Sequence, residues 1–195
     1  MKRLLFVGIA GGSCSGKTTL ALRLRRTLAP LRVRILHMDH FYKPAARLPK
    51  YWSPTLRGWN PGYNHPGCFN WRRARAACRR MGGTDILVLE GLMALHDPVL
   101  RARMDLRVFV TCPEPERRRR IFRRGVRGWS RDRHRRYWEE CVERGFRRHV
   151  LPTRRHAALV VSGASGTLRR SARVVGGAIR RAVVRPPRAC GRVEA

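Results

Sequence analysis

A glycine-rich loop near the start of the chain holds the residues best suited to chemistry. Residues 11–18 read GGSCSGKT and fill every fixed position of the phosphate-binding pattern G-x-x-x-x-G-K-[ST]. Such a loop points backbone N–H groups at an anion, and the N-terminus of the following helix adds its own. Lys17 can reach the outer phosphates of a nucleotide, and the Thr18 hydroxyl can ligate Mg²⁺. The pattern predicts a nucleoside triphosphate site formed by Gly11, Gly12, Ser13, Cys14, Ser15, Gly16, Lys17, Thr18 and Thr19.

Two carboxylates follow or end apolar runs that should lie beside this loop. Asp39 follows a run that ends at Met38, and Glu90 ends the run ILVLE. Asp39 could accept a proton from a hydroxyl group that attacks the terminal phosphate, although Asp also commonly caps turns and helices. An acid in the position of Glu90 commonly assists Mg²⁺. The spacing favours Asp39 as a general base and Glu90 as a metal ligand.

A dense group of arginines, at positions 117–120, 123, 124 and 127, follows the fourth apolar run. Arg120, Arg123 and Arg127 are three and four residues apart, so they share one face of a helix. That face, closed over the site, would stabilise the charge that develops during phosphoryl transfer. The alternative is a solvated face, because arginines occur throughout this chain.

Strand-like and helix-like stretches alternate along the sequence. Apolar runs predict strands at residues 4–10, 33–38, 86–89, 106–110 and 159–161. Helices are predicted at residues 18–28, 71–80, 98–103, 114–124, 131–149 and 168–184. The alternation predicts an α/β fold in which helices cover both faces of a parallel sheet, with the phosphate loop at its carboxyl edge.

One segment breaks this alternation. Residues 44–69 contain five prolines and many aromatic side chains, which predicts irregular structure rather than a sheet or a long helix. A long aromatic loop within a domain of this size is typical of a lid or a binding loop.

The net charge of +32 is extreme, but it is weak evidence for a nucleic-acid partner. Lys occupies only positions 2, 17, 43 and 50, so 40 of the 44 basic residues are Arg. Both residue types contact phosphate, so this ratio indicates a coding bias towards Arg rather than selection for a nucleic-acid groove. We expect any nucleic-acid binding to be non-specific.

The remaining bulk features favour one domain in a reducing compartment. We predict a catalytic domain over residues 1–184 and a basic, disordered tail over residues 185–195. The six cysteines form no C-x-x-C pair, which suits a reduced, cytoplasmic setting. No apolar run reaches the length of about 18 residues that a membrane span needs, so no membrane partner is expected. The oligomeric state is left open.

Five ordered motifs resemble the uridine kinase family, whose relatives include the nicotinamide riboside kinases. GGSCSGKTT resembles the family's phosphate loop, MDHFYKP its catalytic segment and YNHPGCFNW its substrate segment. VLEGLMALHDPVLRARMDLRVFVTCP resembles its third-to-fourth-strand unit, and LPTRRHAALVV the entry to its fifth strand. Together the motifs span residues 4–161 in the family's order.

The resemblance implies an ATP- and Mg²⁺-dependent kinase that phosphorylates the 5′-hydroxyl of a ribonucleoside. It also implies a P-loop NTPase fold, a three-layer sandwich with a five-stranded parallel sheet and an arginine-rich lid. Carried over by position, it implies the following roles: catalysis by Asp39 and Lys17, metal binding by Thr18 and Glu90, nucleotide binding by Arg123 and Arg127, and nucleoside binding by Asp39, Tyr42, Asn64, His65 and Arg120.

The chain departs from the family pattern at the nucleoside site. Asn64 stands where the family has an aspartate that grips the ribose, and only nineteen residues separate Asn70 from Glu90. The family carries a base-reading insertion in that interval, and a family lid arginine is replaced near Trp129. We rank uridine and cytidine as acceptors above nicotinamide riboside. A rival interpretation is a non-catalytic, basic P-loop protein that binds RNA or another polyanion.

Overall fold

Five parallel strands form the central sheet of the structure, a computed structural model that describes residues 4–125 and 129–184. They are β1 (Leu5–Gly11), β2 (Val33–His37), β5 (Ile86–Glu90), β6 (Leu106–Thr111) and β7 (Leu159–Ser162), and they lie in the order β2-β5-β1-β6-β7. The central strand β1 pairs with β5 and β6, and every residue of β1 and β5 is buried. Burial on both faces explains why these strands are continuous apolar runs.

Six α-helices accompany the sheet in the described part of the chain: α1 (Lys17–Thr27), α2 (Trp71–Arg79), α3 (Pro98–Ala102), α4 (Glu114–Arg124), α5 (Arg131–Tyr137) and α6 (Leu168–Val184). Alternate residues of β1 point into two separate apolar cores. Val7 and Ile9 pack in one core with residues of α1 and α6, whereas Phe6 and Ala10 pack in the other with residues of α2 and the following loops. The predicted three-layer α/β sandwich with a five-stranded parallel sheet is therefore confirmed.

The segment over residues 44–69 was wrongly predicted to lack a sheet. It contains β3 (Lys50–Ser53) and β4 (Gly58–Pro61), which form a two-stranded antiparallel hairpin with Trp52 paired to Trp59. Short 3₁₀ turns flank the hairpin at Ala45–Arg47 and Pro66–Cys68. Pro61 ends β4 and prolines lie just outside the hairpin, which weakened the strand pattern in the sequence although proline is tolerated at strand ends.

The helix predicted over residues 131–149 is present but not uniformly α-helical. After α5 the chain continues through π-helical turns at Trp138–Glu143 and Phe146–Val150, and it ends in the 3₁₀ turn Leu151–His156. Between the π-helical turns, Gly145 lies so close to Asn64 that a Cβ on this glycine would collide with the Cβ of Asn64. π-Helical turns are rare and frequently occur at functional sites.

Two sequence-based expectations, one for the lid and one for the tail, concern residues that the structure does not describe. Arg127 and the proposed tail over residues 185–195 lie outside the described residues. No helix within residues 4–125 and 129–184 is long and apolar enough to cross a membrane.

Candidate active site

The phosphate loop joins β1 to α1 at the carboxyl edge of the sheet. Gly16 has a φ of 96°, a left-handed conformation that glycine adopts without strain, and it starts α1. Cys14 also has a positive φ, of 58°, so the loop is tightly wound on both sides of Ser15. The Ser15 N–H donates to the Gly12 carbonyl at 3.1 Å. The loop thus has the compact turn that phosphate binding requires.

Lys17 lies inside this turn and has lost most of its contact with solvent. Its Nζ donates a hydrogen bond to the Gly12 carbonyl at 2.9 Å. Burial lowers the pKa of Lys17, and the negative charges of Glu90 and Asp39 partly oppose that shift. The two acids that the sequence selected therefore lie within electrostatic range of the loop lysine.

Glu90 and Thr18 are in direct contact. Thr18 Oγ1 donates to Glu90 Oε1 at 3.0 Å, and His37 Nδ1 donates to the same oxygen at 2.6 Å. Glu90 is buried at the end of β5, and His37 ends the neighbouring strand β2. His37 was not selected from the sequence, because its pairing with Glu90 depends on the register of two strands 53 residues apart.

These oxygen ligands fit a magnesium ion. Mg²⁺ prefers oxygen ligands and usually combines one or two protein groups with phosphate oxygens and water. Within the described part of the chain there is no cluster of three or more His, Cys, Asp or Glu residues that could hold a metal. Thr18 Oγ1 and the Glu90 carboxylate are oxygen ligands of the kind that combine with phosphate oxygens and water around Mg²⁺.

Asp39 lies in the 3₁₀ turn Met38–Phe41, directly after β2, and it is exposed. Its carboxylate forms no hydrogen bond or ion pair with the residues that the structure describes, and it does not cap the turn. Its charge nevertheless raises the pKa of Tyr42, in addition to the larger effect of burial. Asp39 is therefore an accessible carboxylate without a structural partner in the described residues, and its charge acts on Lys17.

Tyr42 packs among aromatic side chains close to Asp39. Its ring stacks on Phe69 at 4.6 Å between centroids and meets Tyr63 edge-on at 5.6 Å. The Tyr42 hydroxyl donates to the Tyr63 carbonyl at 3.4 Å. Tyr42 therefore connects the neighbourhood of Asp39 to the segment that precedes Asn64.

Asn64 and His65 occupy different environments. Asn64 is buried, and its Oδ1 has no hydrogen-bond partner in the described structure. His65 is exposed, and its Nδ1 accepts a hydrogen bond from the Gly67 N–H at 2.9 Å, which caps the 3₁₀ turn Pro66–Cys68. Burial and the charges of Arg148 and Lys43 lower the pKa of His65, so a neutral imidazole is favoured. Of these two residues, Asn64 has the unused acceptor in the described structure.

The predicted arginine face is only partly seen at the phosphate loop. Arg120 Nη1 donates to the Cys14 carbonyl at 3.0 Å, and Nη2 donates to Glu116 at 2.8 Å. Arg123 is exposed on α4, and Arg127 lies outside the described residues. Arg124, which was not selected from the sequence, lies close enough to Lys17 to lower its pKa. The structure therefore brings Arg120 and Arg124 to the loop, and an arginine-rich lid stays a prediction.

Arg117 is the second arginine of α4 that sequence reasoning missed. Its side chain is 2% exposed, and its guanidinium group packs on the Phe146 ring, with Cζ 4.2 Å from the ring centroid. Arg117 lies one helical turn from Ile121, on the side of α4 that faces the protein. The four-residue spacing from the apolar Ile121 was the sequence feature that could have distinguished Arg117 from the other arginines of α4.

An aromatic cavity of about 280 Å³ opens beside Tyr63. It lies between the β3–β4 hairpin and α5 and is lined by Tyr51, Leu56, Asn60, Pro61, Tyr63, Trp129, Arg133, Arg136, Tyr137 and Glu140. Trp129 and Tyr137 meet edge-on at 5.2 Å. Arg136 Nε and Glu140 Oε2 are buried without a hydrogen-bond partner in the described structure, whereas Glu140 Oε1 accepts from Thr55 at 2.6 Å. The cavity thus combines aromatic walls with one unused donor and one unused acceptor.

Comparison with known sequences relates the chain to two groups. The AAA domain family matches residues 7–140. The uridine kinase of Deinococcus deserti is 30% identical over 188 residues, which cover 82% of this chain and 87% of that protein. Uridine-cytidine kinase B of Dictyostelium discoideum is 27% identical over 187 residues, which cover 82% of this chain and 75% of that protein.

Solved structures share the fold at low sequence identity. Phosphoribulokinase from Rhodobacter spheroides superposes with a TM-score of 0.59 at 12% identity, over 80% of this chain and 69% of that chain. Shikimate kinase from Acinetobacter baumannii superposes with a TM-score of 0.57 at 16% identity, over 92% and 95% of the two chains. Given this fold, the loop geometry and the sequence relatives, the chain is a P-loop phosphotransferase that belongs to the uridine kinase family.

Proposed function

We propose that this enzyme is a nucleoside kinase that transfers the γ-phosphate of ATP to the 5′-hydroxyl of a ribonucleoside, with uridine and cytidine as the first candidates. The observation that carries the proposal is the aromatic cavity lined by Tyr63, whose ring contacts that of Tyr42 close to Asp39. A nucleoside has both groups that such a site requires, a primary hydroxyl for transfer and a flat base for stacking. Ring-to-ring contacts of this kind contribute about 0.5–1.5 kcal/mol beyond the buried area.

Two residues that line the cavity also carry polar atoms without a partner. Arg136 Nε can donate and Glu140 Oε2 can accept, and neither is engaged in the described structure. Burial raises the pKa of Glu140, but nearby hydroxyl and amide donors, including those of Thr55, lower it by more, so the side chain is a carboxylate at neutral pH. A buried polar group without a partner favours a ligand that pairs with it, because leaving it unpaired is costly.

In the proposed reaction the chain's own residues position two substrates and move one proton. The loop amides and Lys17 bind the phosphates of ATP, while Asp39 accepts the proton of the attacking 5′-hydroxyl. Bound Mg²⁺ would supply charge neutralisation of the phosphates, held by Thr18 with Glu90. Tyr42 and Asn64 would orient the nucleoside together with the neutral His65.

We expect Glu90→Gln to raise the Mg²⁺ concentration needed for half-maximal activity by about 10–100-fold, the usual cost of removing a supporting metal partner. Glutamine keeps the size of the side chain and can still accept the bond from Thr18, but it loses the charge. A Mg²⁺ titration of initial rates measures the effect. Asp132→Asn, an exposed acid of α5 paired with Arg135, is the matched control and should leave the titration unchanged. An unchanged titration for Glu90→Gln would place the metal elsewhere.

An acceptor panel tests the proposed function. ATP turnover is expected with uridine or cytidine, with a lower rate for nicotinamide riboside, and no turnover is expected with free ribose or shikimate. Ribose has hydroxyl groups but no base. Its reaction therefore shows whether the enzyme requires an aromatic base or phosphorylates any suitable alcohol. Turnover of ribose or shikimate in preference to every nucleoside would contradict the proposal.

A cavity variant extends that test. Tyr137→Leu should raise the KM for the nucleoside by about tenfold, the equivalent of one aromatic stacking contact, and leave the KM for ATP unchanged. Tyr42 and Asp39 are untouched by this change, so kcat should fall less than KM rises. Val174→Leu, at an exposed position on α6, is the control for a remote substitution.

The rival acceptor is nicotinamide riboside, whose ring is cationic. Two of the cavity residues, Arg133 and Arg136, are also cationic, and Arg133 lies over the Trp129 ring with its Cζ 4.5 Å from the ring centroid. Like charges within a cavity oppose each other, which favours a neutral base. A higher kcat/KM for nicotinamide riboside than for uridine would reverse this ranking.

A further inference from the structure

The Arg117 guanidinium is enclosed between α4, the π-helical turns and the phosphate loop. Nη2 donates to Glu143 Oε2 at 2.7 Å, and Nε donates to the Cys112 carbonyl at 3.2 Å. The rings of Phe146 and Trp138 cover the group, with centroids 4.2 Å and 5.3 Å from Cζ. Enclosing a charge in this way is costly unless its donors are paired.

One end of this guanidinium is left unpaired, and it faces the phosphate loop. Nη1 is buried and has no hydrogen-bond partner in the described structure. A Cβ placed on Gly12 would lie 3.0 Å from Nη1, so the unpaired nitrogen abuts the backbone of the loop. Buried unpaired donors are uncommon in folded proteins and call for a specific reason.

The charge of Arg117 is only partly neutralised. Its ion-pair partner Glu143 also accepts a bond from Arg147 Nε at 3.1 Å, so one carboxylate serves two guanidinium groups. Arg147 is largely exposed and screened by solvent, whereas Arg117 is not. A fixed positive charge in a water-poor setting acts strongly on a neighbouring anion, and it needs no rearrangement when the anion binds.

We infer that Arg117 is a positioning residue for the nucleotide: it abuts the Gly12 backbone and adds a fixed positive charge to the phosphate loop. Arg117 stabilises bound phosphates through the loop and does not contact them directly. The inference rests on the proposed use of ATP. The inference is tested by equilibrium binding of nucleotides, so it can be contradicted while the proposed kinase activity is retained. Nucleotide binding can also be measured if no acceptor is phosphorylated.

The first test compares Arg117→Met with Arg118→Met, its exposed neighbour on α4, by calorimetric binding of ATP, ADP and adenosine to the full chain. Arg117→Met is expected to weaken ATP binding by about tenfold, weaken ADP binding less and leave adenosine binding unchanged, because the effect acts on phosphate charge. Arg118→Met should change none of the three. An equal loss for all three ligands, which a purely structural role predicts, or no loss for ATP, would overturn the inference.

A second variant decides the matter even if Arg117→Met does not fold. Glu143→Gln removes the counter-charge while keeping a hydrogen-bond acceptor for Arg117, so ATP should bind about threefold more tightly and adenosine equally well. Glu139→Gln removes an exposed acid from the same π-helical turn, and it controls for a general change in net charge. Unchanged or weaker ATP binding in Glu143→Gln, or an equal gain in Glu139→Gln, would contradict a local role of Arg117.

Discussion

Replacing Asp39 with Asn is expected to lower kcat by about 10²–10⁴-fold, the usual contribution of a general base. Asn has nearly the same volume and can hydrogen-bond the acceptor hydroxyl, but it cannot take its proton. ATP binding should change little, because the phosphate loop is untouched. Asp39 is exposed and makes no hydrogen bond or ion pair with the described residues, so the fold should also tolerate the change.

Two measurements must accompany those kinetics. A melting curve separates loss of catalysis from loss of fold, and a titration of ATP binding checks that the phosphate loop is intact. Asp132→Asn, on exposed α5, should match the wild-type protein in all these measurements. If Asp39→Asn keeps near wild-type turnover, the carboxylate is a surface group and another residue must accept the proton.

Lys17→Met is expected to lower kcat/KM for ATP by about 10²–10³-fold, comparable to the loss of one donor that stabilises transferring charge. Methionine fills the space of the lysine stem, so the buried turn that Lys17 occupies should stay packed. The variant cannot donate to phosphate, nor to the Gly12 carbonyl that Lys17 Nζ contacts at 2.9 Å. ATP binding and transfer should therefore both weaken, in contrast to Asp39→Asn.

The pH dependence of ATP binding gives this prediction a second readout. Burial lowers the pKa of Lys17, and only the protonated amine attracts phosphate. Wild-type ATP affinity should therefore decrease as the pH rises through that lowered pKa, below the ordinary lysine range, and Lys17→Met should show no such decrease. Undiminished ATP affinity in the variant would mean that the loop amides alone hold the nucleotide.

Much of the candidate site could be predicted because its parts are local in the sequence. The phosphate loop, the strand before it and the helix after it occupy residues 5–27 without interruption, so one pattern describes them together. Asp39 and Glu90 were selected because each lies at the carboxyl end of an apolar strand. The carboxyl ends of parallel strands meet at one edge, which is why two distant residues could be placed beside the same loop.

The β3–β4 hairpin and the aromatic cavity depend on contacts between segments that are distant in the sequence, so no local sequence pattern predicts them. The hairpin over residues 50–61 was predicted as irregular, since its short strands are stabilised by pairing with each other and by packing against α5. Its juxtaposition with Trp129 and Tyr137 creates the aromatic cavity, although these residues lie far apart in the sequence. The walls of this cavity come from segments other than the interval in which the family carries its insertion.

The sequence by itself determined the α/β class, the phosphate loop and the two acids, because strand burial and loop geometry follow from nearest neighbours in the chain. Only the tertiary structure decided which arginines lie at the phosphate loop. Arg117, Arg118 and Arg120 are identical in type and lie within four consecutive residues, yet the first is enclosed against the phosphate loop, the second pairs with Glu139 and the third bonds to the Cys14 carbonyl. The direction in which α4 presents each side chain sets its surroundings, and that direction follows from how the helix packs, not from residue type.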